Sequence, residues 1–230
     1  MSSLGRVTLL KADFFNRDPR WVARALLGKL LVRKMPRGIL AGRIVETEAY
    51  LGEGDAAAHA TAGRTARNSV LFGPPGHAYV YFIYGNHYCL NVSCLPEGDP
   101  GSVLFRALEP IEGIKQMAEA RGIVWRRAPS PVQAERSSAA FGGRRTSEFA
   151  MAKESDLRKI TSGPGRLCEA LGITRARDNG KSLVSPRSDL RIADDGYRVG
   201  RVVVGPRIGI TKSADHPLRY RIAGNAFVSL

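Results

Sequence analysis

The segment 78–94, AYVYFIYGNHYCLNVSC, restricts the possible folds more than any other part of the sequence. Aromatic and β-branched residues, which strands favour, flank the turn dipeptide Gly85-Asn86. The pattern predicts two antiparallel strands joined by a tight turn, with Tyr84 at the tip. An aromatic side chain exposed at a tip contributes little to a core, so Tyr84 is a candidate for contact with a partner.

The register of this hairpin determines which side chains share a face. A two-residue Gly85-Asn86 loop would pair Tyr84 with His87 and turn Tyr81 and Asn91 to opposite faces of the sheet. A three-residue loop, or one bulge, shifts the pairing by one residue and places Tyr81 opposite Asn91. If both residues line one pocket, the loop is not the simple two-residue kind.

The rest of the chain mixes strand and helix patterns. A helix is predicted to start at Pro19, with Asp18 as its N-cap, and to end at Gly28. The other predicted elements are strands at 29–35, 39–50 and 103–108, a mostly irregular segment at 52–77, a helix from Pro110 to about Gly122, a short helix at 164–171 and strands after 190. The fold class is therefore α+β: a single domain with a curved, mainly antiparallel sheet, surrounding helices and a protruding β-hairpin. The arginine-rich stretch 126–148 is predicted to be a flexible insertion.

The charge of the chain favours a polyanionic partner. Its 230 residues include 35 Lys and Arg against 21 Asp and Glu, a net charge of +14. Phosphate contacts would release counterions and gain affinity without reading a sequence; the alternative is a basic protein whose charge only aids solubility. In a basic protein, Tyr84 is typical of a wedge pushed between base pairs. Its neighbouring tyrosines are equally typical of a packed sheet face.

Cysteine content and hydropathy indicate the compartment. Three cysteines without a paired spacing predict a reducing environment rather than a disulfide framework or a zinc site. Polar residues interrupt the N-terminal segment too early for a signal peptide, and no run of 18 apolar residues predicts a membrane-spanning helix. We therefore expect a soluble, cytoplasmic protein.

The segment Ile44 to Tyr50, IVETEAY, is the first candidate for chemistry. On a strand, Glu46, Glu48 and Tyr50 share one face. Two carboxylates there are costly if the face is buried and ordinary if it is a solvated edge with salt-bridge partners. His59 follows after a Gly/Ala-rich loop that can fold back over the strand, which favours a site, although a lone histidine is more often structural.

Arg106 lies inside the apolar run LFRALEP and forms the second candidate. A buried arginine needs an anionic partner, because an unpaired one is too costly. The partner is either Glu109, in a structural ion pair, or Glu48, in which case Arg106 acts on the carboxylate or its water. The sequence alone leaves the two alternatives equal.

Five co-linear segments resemble the alkyladenine (3-methyladenine) DNA glycosylase family in its mammalian-type form. They are RIVETEAYLGEGDAAAH, YVYFIYGNHYCLNVS, LFRALEP, SGPGRLCEAL and PLRYRIAGNAFVS. The resemblance covers the chain from about residue 8 onwards and implies one glycosylase domain over residues 1–230; the stretch 126–148 has no clear counterpart. It implies base excision repair by a monofunctional enzyme that flips alkylated or deaminated purines from duplex DNA and hydrolyses the N-glycosidic bond. The implied substrates are 3-methyladenine, 7-methylguanine, hypoxanthine and ethenoadenine.

The resemblance also implies roles for individual residues. Glu48 matches the general base and Arg106 the arginine that holds the attacking water, with a backbone carbonyl near Ile208 completing the water's surroundings. Tyr50, His59 and Tyr81 match the residues that stack on the extruded base, Asn91 the residue that excludes guanine, and Tyr84 the intercalating residue. Arg64, Arg67 and His87 are expected at the DNA backbone. His216 replaces a basic residue before PLR, which puts backbone contacts near it in question.

The expected partner is double-stranded DNA that contains damaged purines. The protein is expected to act as a monomer without a cofactor or metal, and to associate with the nucleoid if the source is bacterial. Two other functions remain open from the residues alone. Glu46, Glu48, Asp55 and His59 could ligate the metal of a nuclease, which EDTA would stop. A non-catalytic architectural protein could use Tyr84 as a wedge and would bend DNA without releasing a base.

Overall fold

The computed structural model describes residues 7–83, 85–123 and 154–229. Over these ranges the chain forms one α+β domain around a mainly antiparallel open sheet, which confirms the predicted fold class. Tyr84 and the predicted insertion at 126–148 lie outside the described residues.

In the described part of the chain, nine strands form one sheet. The strands are β1 (Thr8–Leu9), β2 (Leu30–Met35), β3 (Gly38–Tyr50), β4 (Ala78–Ile83), β5 (His87–Cys94), β6 (Gly101–Glu112), β7 (Leu190–Asp194), β8 (Val202–Gly205) and β9 (Arg219–Ile222). The sheet order is β1-β7-β2-β3-β6-β5-β4, and the pair β8-β9 joins it at β3.

Short helices cover the sheet. They are α1 (Ala12–Phe15), α2 (Pro19–Leu26), a 3₁₀ helix (Ser69–Phe72), α3 (Ile114–Ala120), α4 (Glu154–Thr161), α5 (Pro164–Ala170) and α6 (Arg175–Asp178). The predicted start of α2 is confirmed: the Asp18 carboxylate accepts the Arg20 backbone N–H at 2.8 Å, and Pro19 is the first helical residue.

Strand β3 is the centre of the sheet and carries different neighbours along its length. β6 pairs with one edge, while β2 and β9 divide the other: β2 pairs with residues 38–43 and β9 with residues 46–48. The register between β3 and β6 shifts on both sides of Glu46. Such bulges redirect side chains, and these lie where Glu46 and Arg106 meet.

The two faces of the sheet differ in character. Val45, Ala49, Val92 and Phe105 belong to the main apolar core, which α2 and α5 cover from one side. Thr47, on the same face, donates its hydroxyl to the Ala23 carbonyl in α2 at 2.8 Å. The opposite face carries Glu46, Glu48, Tyr50 and Tyr81, so the main core leaves that face for a site.

The hairpin β4–β5 corrects the predicted register. Ile83 pairs with His87, so three residues form the loop, and the simple two-residue turn is excluded. The shift runs in the other direction from the one predicted: Tyr79, not Tyr81, lies opposite Asn91, and Tyr81 lies opposite Cys89. Because Tyr79 and Tyr81 are two residues apart, Tyr81 and Asn91 still share a face.

The helix predicted to start at Pro110 starts later. Pro110 and Ile111 continue strand β6, where Pro110 pairs with Gly42 beside a register shift. An interrupted ladder tolerates a residue that lacks an N–H. Gly113, with φ at +71°, then turns the chain into α3.

No helix within the described ranges combines the length and apolar character needed to cross a bilayer.

Candidate active site

Four strands place one side chain each in a single row on the polar face. Glu48 on β3 lies opposite Leu104 on β6, Leu104 opposite Asn91 on β5, and Asn91 opposite Tyr79 on β4. Directly opposed residues point to the same side of a sheet. The row therefore brings the predicted general base and the predicted specificity residue to one face.

Glu48 is fully buried, and both oxygens of its carboxylate have partners. Oε1 accepts the backbone N–H of Ile208 at 2.8 Å and forms an ion pair with Nη1 of Arg106 at 3.1 Å. Oε2 accepts the Tyr50 hydroxyl at 3.1 Å. These contacts fix the orientation of the carboxylate. The interpretation of this strand as a solvated edge was wrong, because Glu46 and Glu48 are both buried.

The pKa of Glu48 lies above its ordinary value. Burial raises it most, while the charge of Arg106 and the bonds from Ile208 and Tyr50 lower it in part, and the charge of Glu46 raises it again. A carboxylate with a raised pKa is a better proton acceptor near neutral pH. The surroundings suit a general base.

Arg106 pairs with both acids of β3 and not with Glu109. Its Nε lies 3.2 Å from Oε1 of Glu46, and its Nη2 donates to the Ser229 hydroxyl at 3.2 Å. The interpretation as an ion pair with Glu109 was wrong: a Glu109 oxygen accepts the side chain of Asn225 instead.

Glu46 accepts most of the hydrogen bonds in the buried network around Arg106. Its carboxylate accepts hydrogen bonds from Nε of Arg219 at 2.5 Å, from the backbone N–H of Ser229 at 2.6 Å and from Nε of Arg106. Two arginines thus balance the charges of Glu46 and Glu48. Arg219 was not singled out in the sequence, and its register opposite Glu48 on β9 depends on a pairing that local patterns do not reveal.

A cavity of about 670 Å³ opens on this face. The predicted residues Tyr50, His59, Tyr81, Asn91, Arg106, Ile208 and His87 all line it, as do Tyr79 and Leu104. Glu48 lies behind the wall, held by Tyr50, Arg106 and Ile208, which do face the cavity. Its size and aromatic lining suit a flat, polarisable ring.

Three aromatic rings that line the cavity, those of His59, Tyr79 and Tyr81, contact one another. The ring centroids of His59 and Tyr81 lie 4.5 Å apart, and those of Tyr79 and Tyr81 lie 5.5 Å apart. His59 Nδ1 is 3.0 Å from the Tyr79 hydroxyl, which orients the imidazole. Burial, and secondarily the charge of Arg67, lowers the pKa of His59, which favours the neutral ring. Tyr79 was missed as a site residue, although its spacing of two from Tyr81 was a signal that they share a face.

Asn91 has an unusual environment for a buried amide. It is 3% exposed, and its Nδ2 has no hydrogen-bond partner among the described residues. A buried donor without a partner is costly. Because Asn91 lines the cavity, this amide is available to a group that enters it.

The remaining predicted residues lie around the cavity or outside the described ranges. Arg64 and Arg67 are exposed on the loop that precedes the 3₁₀ helix. His87 is exposed at the start of β5, with its ring against Gly165 of α5. Ile208 contacts Glu48 through its N–H, a bond that the sequence did not predict; the resemblance implied a backbone carbonyl near Ile208 as a contact of the water, which stays a prediction. Tyr84 lies outside the described residues.

The four ligands expected for a metal-dependent nuclease do not converge. Asp55 forms a two-bond ion pair with Arg207, and Glu46 is occupied by Arg106 and Arg219. The described ranges contain no group of three or more His, Cys, Asp or Glu side chains placed to hold a metal ion.

Comparison with known proteins agrees with this geometry. The family model for Methylpurine-DNA glycosylase (MPG) matches residues 13–226. A protein of Koribacter versatilis is 59% identical over 99% of this chain and 96% of its own length. Proteins of Methanocella arvoryzae and Chlorobaculum tepidum are 43% and 41% identical over 92% and 96% of this chain, and over 89% and 90% of their own lengths. All three carry the name "Putative 3-methyladenine DNA glycosylase".

The family model spans most of the chain, and the relatives align along nearly their whole length. Together they show the family of this chain. The chain belongs to the methylpurine-DNA glycosylase family and is an N-glycosyl hydrolase of the DNA-3-methyladenine glycosylase type.

Proposed function

We propose that the protein flips 3-methyladenine, 7-methylguanine, hypoxanthine or ethenoadenine out of duplex DNA and hydrolyses the bond between the purine and deoxyribose. The observation that carries the proposal is the position of Glu48, whose oriented, buried carboxylate lies directly behind the aromatic cavity. One chain supplies the carboxylate, its ion pair and the aromatic wall, which supports action as a monomer. The three cysteines are free thiols, which supports a reducing, cytoplasmic compartment.

Glu48 is proposed to activate the attacking water through Oε2. Oε1 already receives both the Ile208 N–H and the Arg106 guanidinium, whereas Oε2 receives only the Tyr50 hydroxyl among the described residues. A carboxylate oxygen can accept two hydrogen bonds, so Oε2 keeps one position for water. The water would lie where Tyr50, Arg106 and Ile208 meet at the cavity wall.

The chemical step follows from this placement. Glu48 takes a proton from water, the water oxygen bonds to C1′ of deoxyribose, and the electron pair of the glycosidic bond leaves with the purine. The carboxylate also stabilises the positive charge that develops on the sugar. A cationic base such as 3-methyladenine leaves as a neutral molecule. A neutral base such as hypoxanthine needs a proton to leave as a neutral molecule, so its release demands more of the catalytic groups.

Stacking supports the choice of substrate. Tyr50 and His59 are proposed to cover one face of the flipped base and Tyr81 the other, at a gain of roughly 1–3 kcal/mol per stacked base. The centroids of His59 and Tyr81 lie 4.5 Å apart, so the entering base has to separate these two rings. A cationic purine gains further from the π faces. Asn91 is proposed to exclude guanine by crowding its 2-amino group. Tyr84 is proposed to fill the gap in the duplex, and Arg64, Arg67 and His87 to contact the backbone; the exposure of these last three supports that role.

Release of free bases tests the proposed function. Duplex DNA treated with a methylating agent is incubated with the protein in EDTA, and the released bases are separated by chromatography. We expect 3-methyladenine and 7-methylguanine in the soluble fraction. A nuclease would stop in the chelator, and an architectural protein would release no base; either result would contradict the proposal.

A further inference from the structure

Arg207 is buried beside the site, and its guanidinium is held by several directed hydrogen bonds. Its guanidinium donates to both oxygens of Asp55, at 2.6 and 2.7 Å. It also donates to the carbonyls of Ala49, at 3.0 Å, and Ser213, at 3.3 Å. Both side chains of the Asp55–Arg207 pair are fully buried. Burial alone would raise the pKa of Asp55, but the bonds from Arg207 hold it below its ordinary value.

These contacts join three chain segments near Glu48. Ala49 follows Glu48 on β3, and Asp55 caps the loop toward His59 by accepting the N–H groups of Leu51 and Ala57. The residue after Arg207 is Ile208, whose N–H binds Glu48.

Arg207 also contacts Tyr50 directly. The guanidinium carbon lies 4.6 Å from the centroid of the Tyr50 ring, at the distance of a cation–π contact. Because Asp55 balances the charge of Arg207, the pair holds the ring without placing an uncompensated cation behind it. The hydroxyl of the same tyrosine binds Oε2 of Glu48.

We propose that the Asp55–Arg207 ion pair is the positioning element of this active site. It holds the Ile208 N–H on one oxygen of Glu48 and the Tyr50 hydroxyl on the other, and so fixes the carboxylate in the orientation that activates water. The inference rests on the proposed function of Glu48. Arg207 itself touches neither substrate nor water, and acts through Ile208 and Tyr50.

The planar fork of arginine is essential to this role. One guanidinium spans a carboxylate, two carbonyls and a ring face, whereas the compact ammonium of lysine cannot reach all of them in fixed directions. We therefore expect Arg207→Lys to retain the charge and lose most of the positioning.

The pH dependence of base release provides a readout that a purely structural role would not move. Glu48 must be ionised to accept a proton, so the rate rises with pH through its pKa. The hydrogen bonds from Ile208 and Tyr50 lower the pKa of Glu48, and loosening them raises it. The acid limb of the pH–rate profile, in which the rate rises with pH, then moves to higher pH. Other charged or titratable groups near Glu48 are Glu46, Cys89, Arg106 and Arg219, and the hydrogen bonds of Arg207 go to Ala49, Asp55 and Ser213 rather than to any of these.

The experiment compares Arg207→Gln and Arg207→Lys with Arg33→Gln. Arg33 forms an equally buried two-bond ion pair with Asp178, at 3.0 and 2.8 Å, and does not line the cavity, so it is a matched control for stability. Single-turnover release of hypoxanthine from a duplex is measured between about pH 4.5 and 9, a range that spans ordinary and raised carboxyl pKa values. Thermal unfolding and duplex affinity are recorded alongside for each folded variant.

We expect Arg207→Gln to lower the plateau rate about 100-fold, to move the acid limb to higher pH, and to leave duplex affinity within about threefold. Arg207→Lys should shift the acid limb in the same direction by a smaller amount. It is the variant to measure if Arg207→Gln does not fold. Arg33→Gln should lower the melting temperature without moving the limb. If the Arg207 variants have the same plateau rate and the same acid limb as Arg33→Gln, the inference is wrong while the proposed function stands. If the wild-type protein releases no base from any lesion, the proposed function itself fails.

Discussion

The backbone N–H of Ser229 donates to Oε2 of Glu46 at 2.6 Å, across 183 positions of the sequence. The contact ties residues near 229 to the strand that carries Glu48. Arg106 and Arg219 bind the other oxygen of Glu46 and also contact Ser229. The charged groups around Glu48 are therefore held from distant parts of the chain, and a change in any one of them should affect the Glu48 carboxylate.

Replacement of the proposed general base should separate chemistry from binding. Glu48→Gln keeps the size of the side chain and cannot accept a proton from water, so we expect base release to fall by several orders of magnitude while lesion DNA is still bound. Single-turnover release and a gel-shift titration measure the two properties. Excision near the wild-type rate would remove Glu48 from the mechanism.

The Tyr50 hydroxyl should set part of the pH dependence. Its hydrogen bond lowers the pKa of Glu48, so Tyr50→Phe should raise that pKa and move the acid limb of base release to higher pH. The aromatic ring remains for stacking, so we expect affinity for lesion DNA to change by less than about threefold. The pH–rate profile checks the direction; an unchanged limb would show that the hydroxyl does not influence the reacting carboxylate.

Glu46→Gln should shift the limb in the opposite direction. The negative charge of Glu46 raises the pKa of Glu48, so its removal should move the acid limb to lower pH. The variant leaves two arginines with one acid, and breaking such a buried pair costs about 3–5 kcal/mol of unfolding free energy. Denaturant unfolding and the pH–rate profile measure both effects. Glu109→Gln, on the neighbouring strand β6 with its carboxylate bound to Asn225, is the control and should leave the limb in place.

The unpartnered amide of Asn91 should control access of guanine. Asn91→Ser removes the buried Nδ2, which has no partner among the described residues, and opens space opposite Leu104. We expect release of guanine from mismatched duplexes to rise about tenfold or more, since one buried polar group commonly carries that much discrimination. Release of hypoxanthine serves as the reference. Unchanged selectivity between the two bases would exclude Asn91 as the filter.

Local patterns predicted the elements that carry the site better than its contacts. Alternation on a strand was enough to place Glu46, Glu48 and Tyr50 on one face, and Gly85-Asn86 was enough to place the hairpin. The direction of the register shift was predicted wrongly, because the Gly85-Asn86 dipeptide marks the turn but does not show on which side of it the loop gains a residue. The partner of Arg106 depended on bulges between strands that lie far apart in the sequence.

Two errors show where local signals fail. Pro110 resembles a helix start, but pairing with β3 extends the strand past it, and tertiary contacts override the local preference. Arg207 stands in the run VGPRIGI without any pattern that sets it apart. Its importance follows only from the folded positions of Asp55, Ala49 and Tyr50.

The divided edge of β3 has a consequence for the order in which the protein becomes functional. The half of β3 that bears Glu46 and Glu48 stays unpaired on that edge until β9, residues 219–222, has been synthesised. A nascent chain on the ribosome can complete the pairing of β2, β3 and β6 and still lack Arg207, Ile208 and Arg219. Such an intermediate lacks groups that hold Glu48 and Glu46, so we expect base release only from chains whose translation has passed those residues.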